Sequence, residues 1–220
     1  MKRIALLTIG QAPRDDVVPE ICIYLPQKVE VVQVGALDGL TMDEIAAHSP
    51  LSDANTLVTR LADGREVTVD REFVHHRLEE AIHAVEKDVM LIGILCSGAF
   101  PPFRAQVPVL VPQGIVRAYV SALILPGPLG ILVPSPRQVA STVEEVRRWG
   151  VEAFVAAVSP YTCKACLSAA ARELARQGAT AFLLNCFGYS EEMRAEVRAA
   201  TGAPVLLVRS MFARALAELL

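Results

Sequence analysis

Two cysteines in this chain stand in matching surroundings. Val89-Met-Leu-Ile-Gly-Ile-Leu-Cys96-Ser97-Gly98 and Ala181-Phe-Leu-Leu-Asn-Cys186-Phe187-Gly188 each read as an apolar strand running into Cys-X-Gly. In open α/β sheets, ligands bind beyond the carboxyl ends of the strands, so both thiols are expected at that edge, one in each half. Thiols facing each other across a cleft can invert or shift a carbon–hydrogen bond without a cofactor. One, as thiolate, takes the proton from one face, and the other, as thiol, returns a proton to the opposite face. The glycine after each cysteine lets the backbone open into a helix start or nest, whose N–H groups favour the thiolate and hold a substrate carboxylate. A buried cysteine also serves as a small hydrophobe. The pair in equivalent contexts, rather than either thiol alone, therefore carries the acid/base reading.

A third piece is Thr8-Ile9-Gly10-Gln11-Ala12-Pro13-Arg14-Asp15-Asp16. A strand ends at Thr8, Gly10 permits a tight turn, and Pro13 suits the first turn of a helix. Asp15 and Asp16 complement the positive end of that helix and Arg14 opposes it. Two roles for Arg14 follow: it holds an anion, or it pairs with Asp15, Asp16 or solvent. Tyr161 and Thr162 follow another strand and reach the same carboxyl edge.

Other constellations carry less. Cys163-Lys-Ala-Cys166 is a lone C-x-x-C; a structural zinc site needs four ligands, and no second pair exists. His75, His76 and His83 share one helix, and seven residues of helix put the last two about 10 Å apart, too far for one metal ion. They are expected on a solvated face, and no metal site is expected. Neither the P-loop nor the G-x-G-x-x-G spacing occurs.

The elements that must position these residues are legible as apolar runs and amphipathic stretches. Strands are expected at Ile4–Thr8, Glu30–Val34, Val89–Leu95, Val107–Val111, Leu129–Val133, Ala153–Val158, Ala181–Asn185 and Val205–Val208. Most are continuous apolar runs, as parallel strands covered on both faces are. Helices are expected over Glu72–Lys87, Arg137–Trp149, Ala165–Gln177, Glu191–Ala200 and Ser210–Leu220, with Gly150, Gly178 and Gly202 as left-handed caps. Residues 35–70 break the alternation: a short helix near Met42–His48, then two short strands around Asp63-Gly64, a hairpin signal. The fold class is α/β with mostly parallel sheets and a small hairpin insertion. The expected halves are residues 1–111, carrying the insertion 35–70, and residues 112–220, with the last helix returning to the first half.

Composition narrows the partners. Hydrophobic residues make up 53% of 220, charged residues 20% and aromatics 5%, with net charge −3. That suffices for a sizeable core and lacks the basic patches and stacking aromatics of a nucleic-acid binder. No apolar stretch is long enough to cross a membrane. Lys2 and Arg3 before the run Ile4–Ile9 superficially resemble a signal peptide, but the run is too short. Five cysteines without a framework point to reduced thiols and a cytoplasmic protein. A homodimer would cover the apolar insertion around Leu37–Leu40.

Thr8-Ile-Gly-Gln-Ala-Pro-Arg14, Val34-Gly-Ala-Leu-Asp-Gly-Leu40, Leu57-Val-Thr-Arg-Leu-Ala-Asp-Gly-Arg-Glu-Val67 and the closing Pro204-Val-Leu-Leu-Val-Arg209 with Ala213-Arg-Ala-Leu-Ala-Glu-Leu219 resemble the AroM family, essentially end to end. That family is more remotely similar to the aspartate/glutamate racemase superfamily. The resemblance implies two pseudo-symmetric Rossmann-like halves, a site between them, one catalytic cysteine from each half and no pyridoxal phosphate or other cofactor. Carried over by position, Cys96 and Cys186 are the acid/base thiols and Ser97 helps bind the substrate carboxylate. The loop with Thr8, Gly10, Gln11 and Arg14 lines the floor, and Gly98, Phe187 and Gly188 complete the surroundings. Racemases usually follow the two cysteines with Asn-Thr and Thr-His, where this chain has Ser97-Gly98 and Phe187-Gly188. The expected function is a cofactor-independent racemase or isomerase acting on a small carboxylate or amino acid. The alternatives are a one-thiol lyase and a non-catalytic small-molecule binding or regulatory protein.

Overall fold

The computed structural model describes residues 2–162 and 166–220. The chain divides into two units, Met1–Gln113 with Phe212–Leu220, and Gly114–Met211.

The first unit is built on four parallel strands: β1 (Lys2–Thr8), β2 (Val29–Gly35), β5 (Ile92–Leu95) and β6 (Val109–Leu110), in the order β2-β1-β5-β6. Ile4, Ala5, Leu6 and Leu7 of β1 and Ile92 and Ile94 of β5 are buried, as central parallel strands must be. Between β1 and β2 lies the short helix α1 (Val18–Cys22), and α2 (Met42–Ala47) starts on a capping box of Thr41 and Glu44. The insertion ends in an antiparallel hairpin of β3 (Thr56–Arg60) and β4 (Glu66–Asp70). Helix α3 (Arg71–Val85) is capped by the Asp70 carboxylate and buries Val74, Leu78 and Ile82, one turn apart, on the core.

The second unit repeats the plan. Its strands β7 (Leu129–Val133), β8 (Ala153–Ala157), β9 (Ala181–Leu184) and β10 (Val205–Leu207) are all parallel, in the order β8-β7-β9-β10. In each unit the first strand is flanked by the second and the third, and the fourth lies outside the third. The helices of this half are α4 (Pro112–Ala122), α5 (Val139–Arg148), α6 (Leu167–Arg176) and α7 (Glu191–Thr201), which ends on Gly202 at φ 67°. Helix α8 (Val208–Glu218) follows β10 without a loop and ends among the residues of the first unit.

The strand and helix reading stands in outline, with local corrections. The expected β6 shrinks to two residues and β5 starts three residues late. The helix expected directly after Pro13 is instead a turn leading to α1, because the Arg14 N–H is tied to the Gln33 side chain of β2 and its guanidinium to Asp16. In the stretch Leu37–Leu40, Leu37 is fully buried within its own unit and Leu40 is partly buried against the same core. No helix among the described residues is long and apolar enough to cross a membrane.

Candidate functional site

In the first unit the register brings two loops side by side. Thr8 pairs with Leu95, so the Thr8–Arg14 loop and the Cys96–Gly98 turn leave adjacent strands at the same edge. Cys96 is 8% exposed, and the Gly98 N–H donates to its Sγ at 3.3 Å. A donor aimed at sulfur binds a thiolate more strongly than a thiol. A side chain at Gly98 would meet Leu57 and Cys96 Sγ, so glycine is what lets this turn close over the thiol. Ser97 is half-buried beside it.

The Thr8–Arg14 loop is knitted to the insertion by backbone and side-chain bonds. The Thr8 hydroxyl accepts from the Gly10 N–H and from Arg14 Nη1. The Ala12 N–H donates to Asp38 Oδ1 at 2.8 Å, and the other oxygen of that carboxylate takes the Gly35 N–H at 2.7 Å. Gln11 spans from the Leu37 carbonyl to the Ala62 N–H, and its own N–H donates to the Arg60 carbonyl. The hairpin thus latches onto this loop.

Arg14 is 4% exposed and committed to protein partners: Nε and Nη2 hold the two oxygens of Asp16, and Nη1 holds Thr8. The pairing of Arg14 with Asp16 is formed. Burial opposes the Asp16 charge, but the Arg14 hydrogen bond and the charges of Arg14 and Arg60 outweigh it, holding the carboxyl below its ordinary value of 3.8. A depressed carboxyl contributes stability above its unfolded pKa and loses it as pH falls through the lower folded one. Asp16→Asn is therefore expected to cost about 1.5–3 kcal/mol near neutral pH. The gap to wild type should shrink below pH 4, read from urea midpoints at the two pH values.

The segment after Cys96 is pinned too. The Gln106 N–H donates to Glu86 Oε2 at 2.7 Å; this bond, against burial and with help from His83, holds the Glu86 carboxyl below its usual range. His75 departs from the solvated face expected for its helix. Its ring stacks on Phe103 at 4.8 Å and its Nε2 is buried, because residues 100–103 fold back over this part of α3; His76 stays exposed. A cavity of about 390 Å³ opens here, lined by Asn55, Arg71, Glu72, His75 and residues 99–101.

In the second unit Cys186 repeats the arrangement of Cys96. It leaves the third strand of its sheet, is 8% exposed, and its Sγ accepts the Gly188 N–H at 3.4 Å. Tyr161 lies against this turn: a methyl on Gly188 would come within 2.6 Å of the Tyr161 hydroxyl and ring. Tyr161 and Thr162 are themselves held by N–H bonds to the Ser159 hydroxyl. Tyr189 is buried and donates to the Val158 carbonyl at 2.6 Å, tying the turn to the end of β8. Phe187 is buried, and its carbonyl is gripped by Nε and Nη2 of Arg209, itself 2% exposed. Arg209 went unassigned in the sequence; an arginine closing the apolar run Pro204–Val208 is the signal that marks it.

Cys22, Cys96 and Cys186 are free thiols, while Cys166 is disulfide-bonded, so reduced thiols hold for those three. Cys163 of the C-x-x-C lies outside the described residues. No cluster among the described residues could hold a metal ion. Cys22 is exposed, yet burial of its sulfur pushes the thiol above its ordinary range. Thiolate, not thiol, is the nucleophile. Cys22 is expected to label slowly with iodoacetamide at pH 7 and much faster near pH 10, as peptide mapping by mass spectrometry would show.

The model of the AroM protein family matches residues 4–220. The chain belongs to the AroM family. No curated protein matches this AroM sequence. Solved structures do match its fold. An aspartate racemase from Picrophilus torridus is 13% identical at a TM-score of 0.62, covering 99% of this chain and 94% of its own. An allantoin racemase from Klebsiella pneumoniae is also 13% identical at 0.62, covering 100% and 87%. An arylmalonate decarboxylase is 13% identical at 0.60, covering 98% and 92%. At these identities the AroM chain shares the racemase fold.

Proposed function

We propose that this chain is a cofactor-independent racemase or isomerase acting on a small carboxylate or amino acid, with Cys96 and Cys186 as its acid/base pair. The supporting observation is the shared build of the two thiols. Each leaves the third strand of a four-stranded parallel sheet of the same order, each is nearly buried, and each receives the N–H of the glycine two residues on. Matching folds among racemases and a decarboxylase are consistent with it.

In this reading one sulfur, as thiolate, removes the proton from the carbon next to the carboxylate. The C–H bond breaks, an S–H bond forms, and the electron pair moves into the carboxylate as an enediolate. The other thiol gives its proton to the opposite face and is left as thiolate. The protonation states of the two sulfurs are exchanged, and the reverse direction starts from that state. Ser97, Tyr161 and Thr162 are the polar side chains for the substrate's anionic end. Arg14 acts as a positioning residue that keeps the Thr8 loop in place. Thr8, Gly10, Gln11, Gly98, Phe187 and Gly188 shape the surroundings.

The test is solvent-deuterium exchange, followed by proton NMR, over chiral amino acids, hydantoins and small dicarboxylates. Exchange at one carbon adjacent to a carboxyl or carbonyl is the expected result. Binding of a carboxylate without exchange on any candidate, and with ordinary reactivity of Cys96 and Cys186 toward alkylation, would leave a non-catalytic binding protein as the better description.

A further inference from the structure

The chain has four lysines against seventeen arginines. Three of the four, Lys2, Lys28 and Lys87, line a single concavity of about 730 Å³ in the first unit. They come from distant parts of the sequence: the first residue of β1, the residue before β2, and the turn after α3. This is the amino-terminal edge of the sheet, whereas the Cys96 turn leaves its carboxyl end. Arg3 also lines the cavity but is paired with Glu30 at 3.0 Å. No ion pair within 4 Å involves Lys2, Lys28 or Lys87 among the described residues, although the Lys87 charge helps to hold the neighbouring Glu86 carboxyl ionised, and one carboxylate, Asp88, shares the wall. The remainder of the lining is apolar: Pro26, Val29, Val89 and Met90, the last 42% exposed.

Three lysines line this one concavity on a chain whose net charge is −3. Like charges held around one concavity repel, and a multivalent anion placed among them removes that repulsion. Guanidinium forks fit carboxylate and phosphate alike in a fixed planar geometry, whereas the residues here are lysines. Lysine is a point charge that serves phosphate oxygens without a fixed geometry. The volume lies within the roughly 300–1,000 Å³ of small-molecule sites.

We propose that this concavity is a second ligand site, separate from the thiols, that binds a diphosphate-bearing small molecule. Lys2, Lys28 and Lys87 hold the phosphates, and Val89 and Met90 seat the organic part. Pyrophosphate is the probe for the charged end. Reductive ¹³C-methylation keeps the lysine charges and makes each lysine visible by NMR, and pyrophosphate should shift the signals of Lys2, Lys28 and Lys87 together. By calorimetry, Lys28→Ala/Lys87→Ala should weaken pyrophosphate binding at least tenfold with an unchanged unfolding midpoint, since both substitutions fall at the protein surface. Wild-type binding should weaken steeply with added salt and persist in Cys96→Ser, which separates this site from the acid/base reading. Pyrophosphate that binds no tighter than sulfate, or equally well to the double variant, would overturn the proposal.

Discussion

On the proposed two-thiol mechanism, serine at either Cys96 or Cys186 is expected to abolish racemisation while leaving the fold intact. A hydroxyl is nearly the size of a thiol, and each position is only 8% exposed, so packing should change little. The chemistry changes far more, because an alcohol near neutral pH neither yields an anion nor gives up a proton as a thiol does. General acid/base catalysis by one group is worth about 10²–10⁴-fold, and a two-base reaction needs both groups in every turnover. Both variants should therefore lose racemisation by that factor, with circular dichroism and unfolding midpoints matching wild type. A one-thiol lyase would show asymmetry instead, with one variant dead and the other active. Wild-type exchange rates in both variants would remove the thiols from the mechanism altogether.

Alanine at Gly10 is expected to be the most damaging single methyl in the first unit. The added carbon would stand 2.3 Å from the Arg60 carbonyl oxygen and 2.4 Å from the Thr59 hydroxyl oxygen. The first of these is backbone, so relief requires the hairpin to move off the Thr8 loop. Overpacking of this kind costs about 1–3 kcal/mol, and more where backbone must shift; we expect at least about 3 kcal/mol in urea unfolding. Gly114→Ala is the matched control. Nothing lies within 4 Å of the added methyl there, and the position is in helix α4, so a gain of about 0.5–1 kcal/mol is expected. Equal effects of the two substitutions would mean that the hairpin is not held against the loop.

How much of this was legible beforehand depends on the range of the interaction. Runs such as Leu129–Val133 announce buried parallel strands through their own composition, and the hairpin around Asp63-Gly64 announces itself through turn chemistry. The parallel between Cys96 and Cys186 could also be read directly, because it sits in two short strings. The commitments of Arg14 were legible only as a pair of alternatives: its neighbours supplied Asp16, but the burial that favours a close ion pair comes from elsewhere in the fold. Arg209 was harder still. Its partner is a backbone carbonyl 22 residues away, and no side-chain pattern reports a carbonyl. His75 misled because a helical wheel knows nothing of residues 100–103, which fold back over it. Three of four lysines meeting at one sheet edge is likewise invisible without the strand order.

The route of helix α8 bears on the order in which the protein is made. Residues 114–211 form the second unit as one uninterrupted stretch. The first unit is different: its N-terminal 113 residues are joined by 212–220, and Phe212 packs against Gly93, where a methyl would be 2.6 Å from its ring. Nascent domains commonly mature from the amino end first. Here the N-terminal segment has to wait with part of its core open until residues 212–220 have been translated, so the unit that begins first is completed only after the whole of 114–211 has been made.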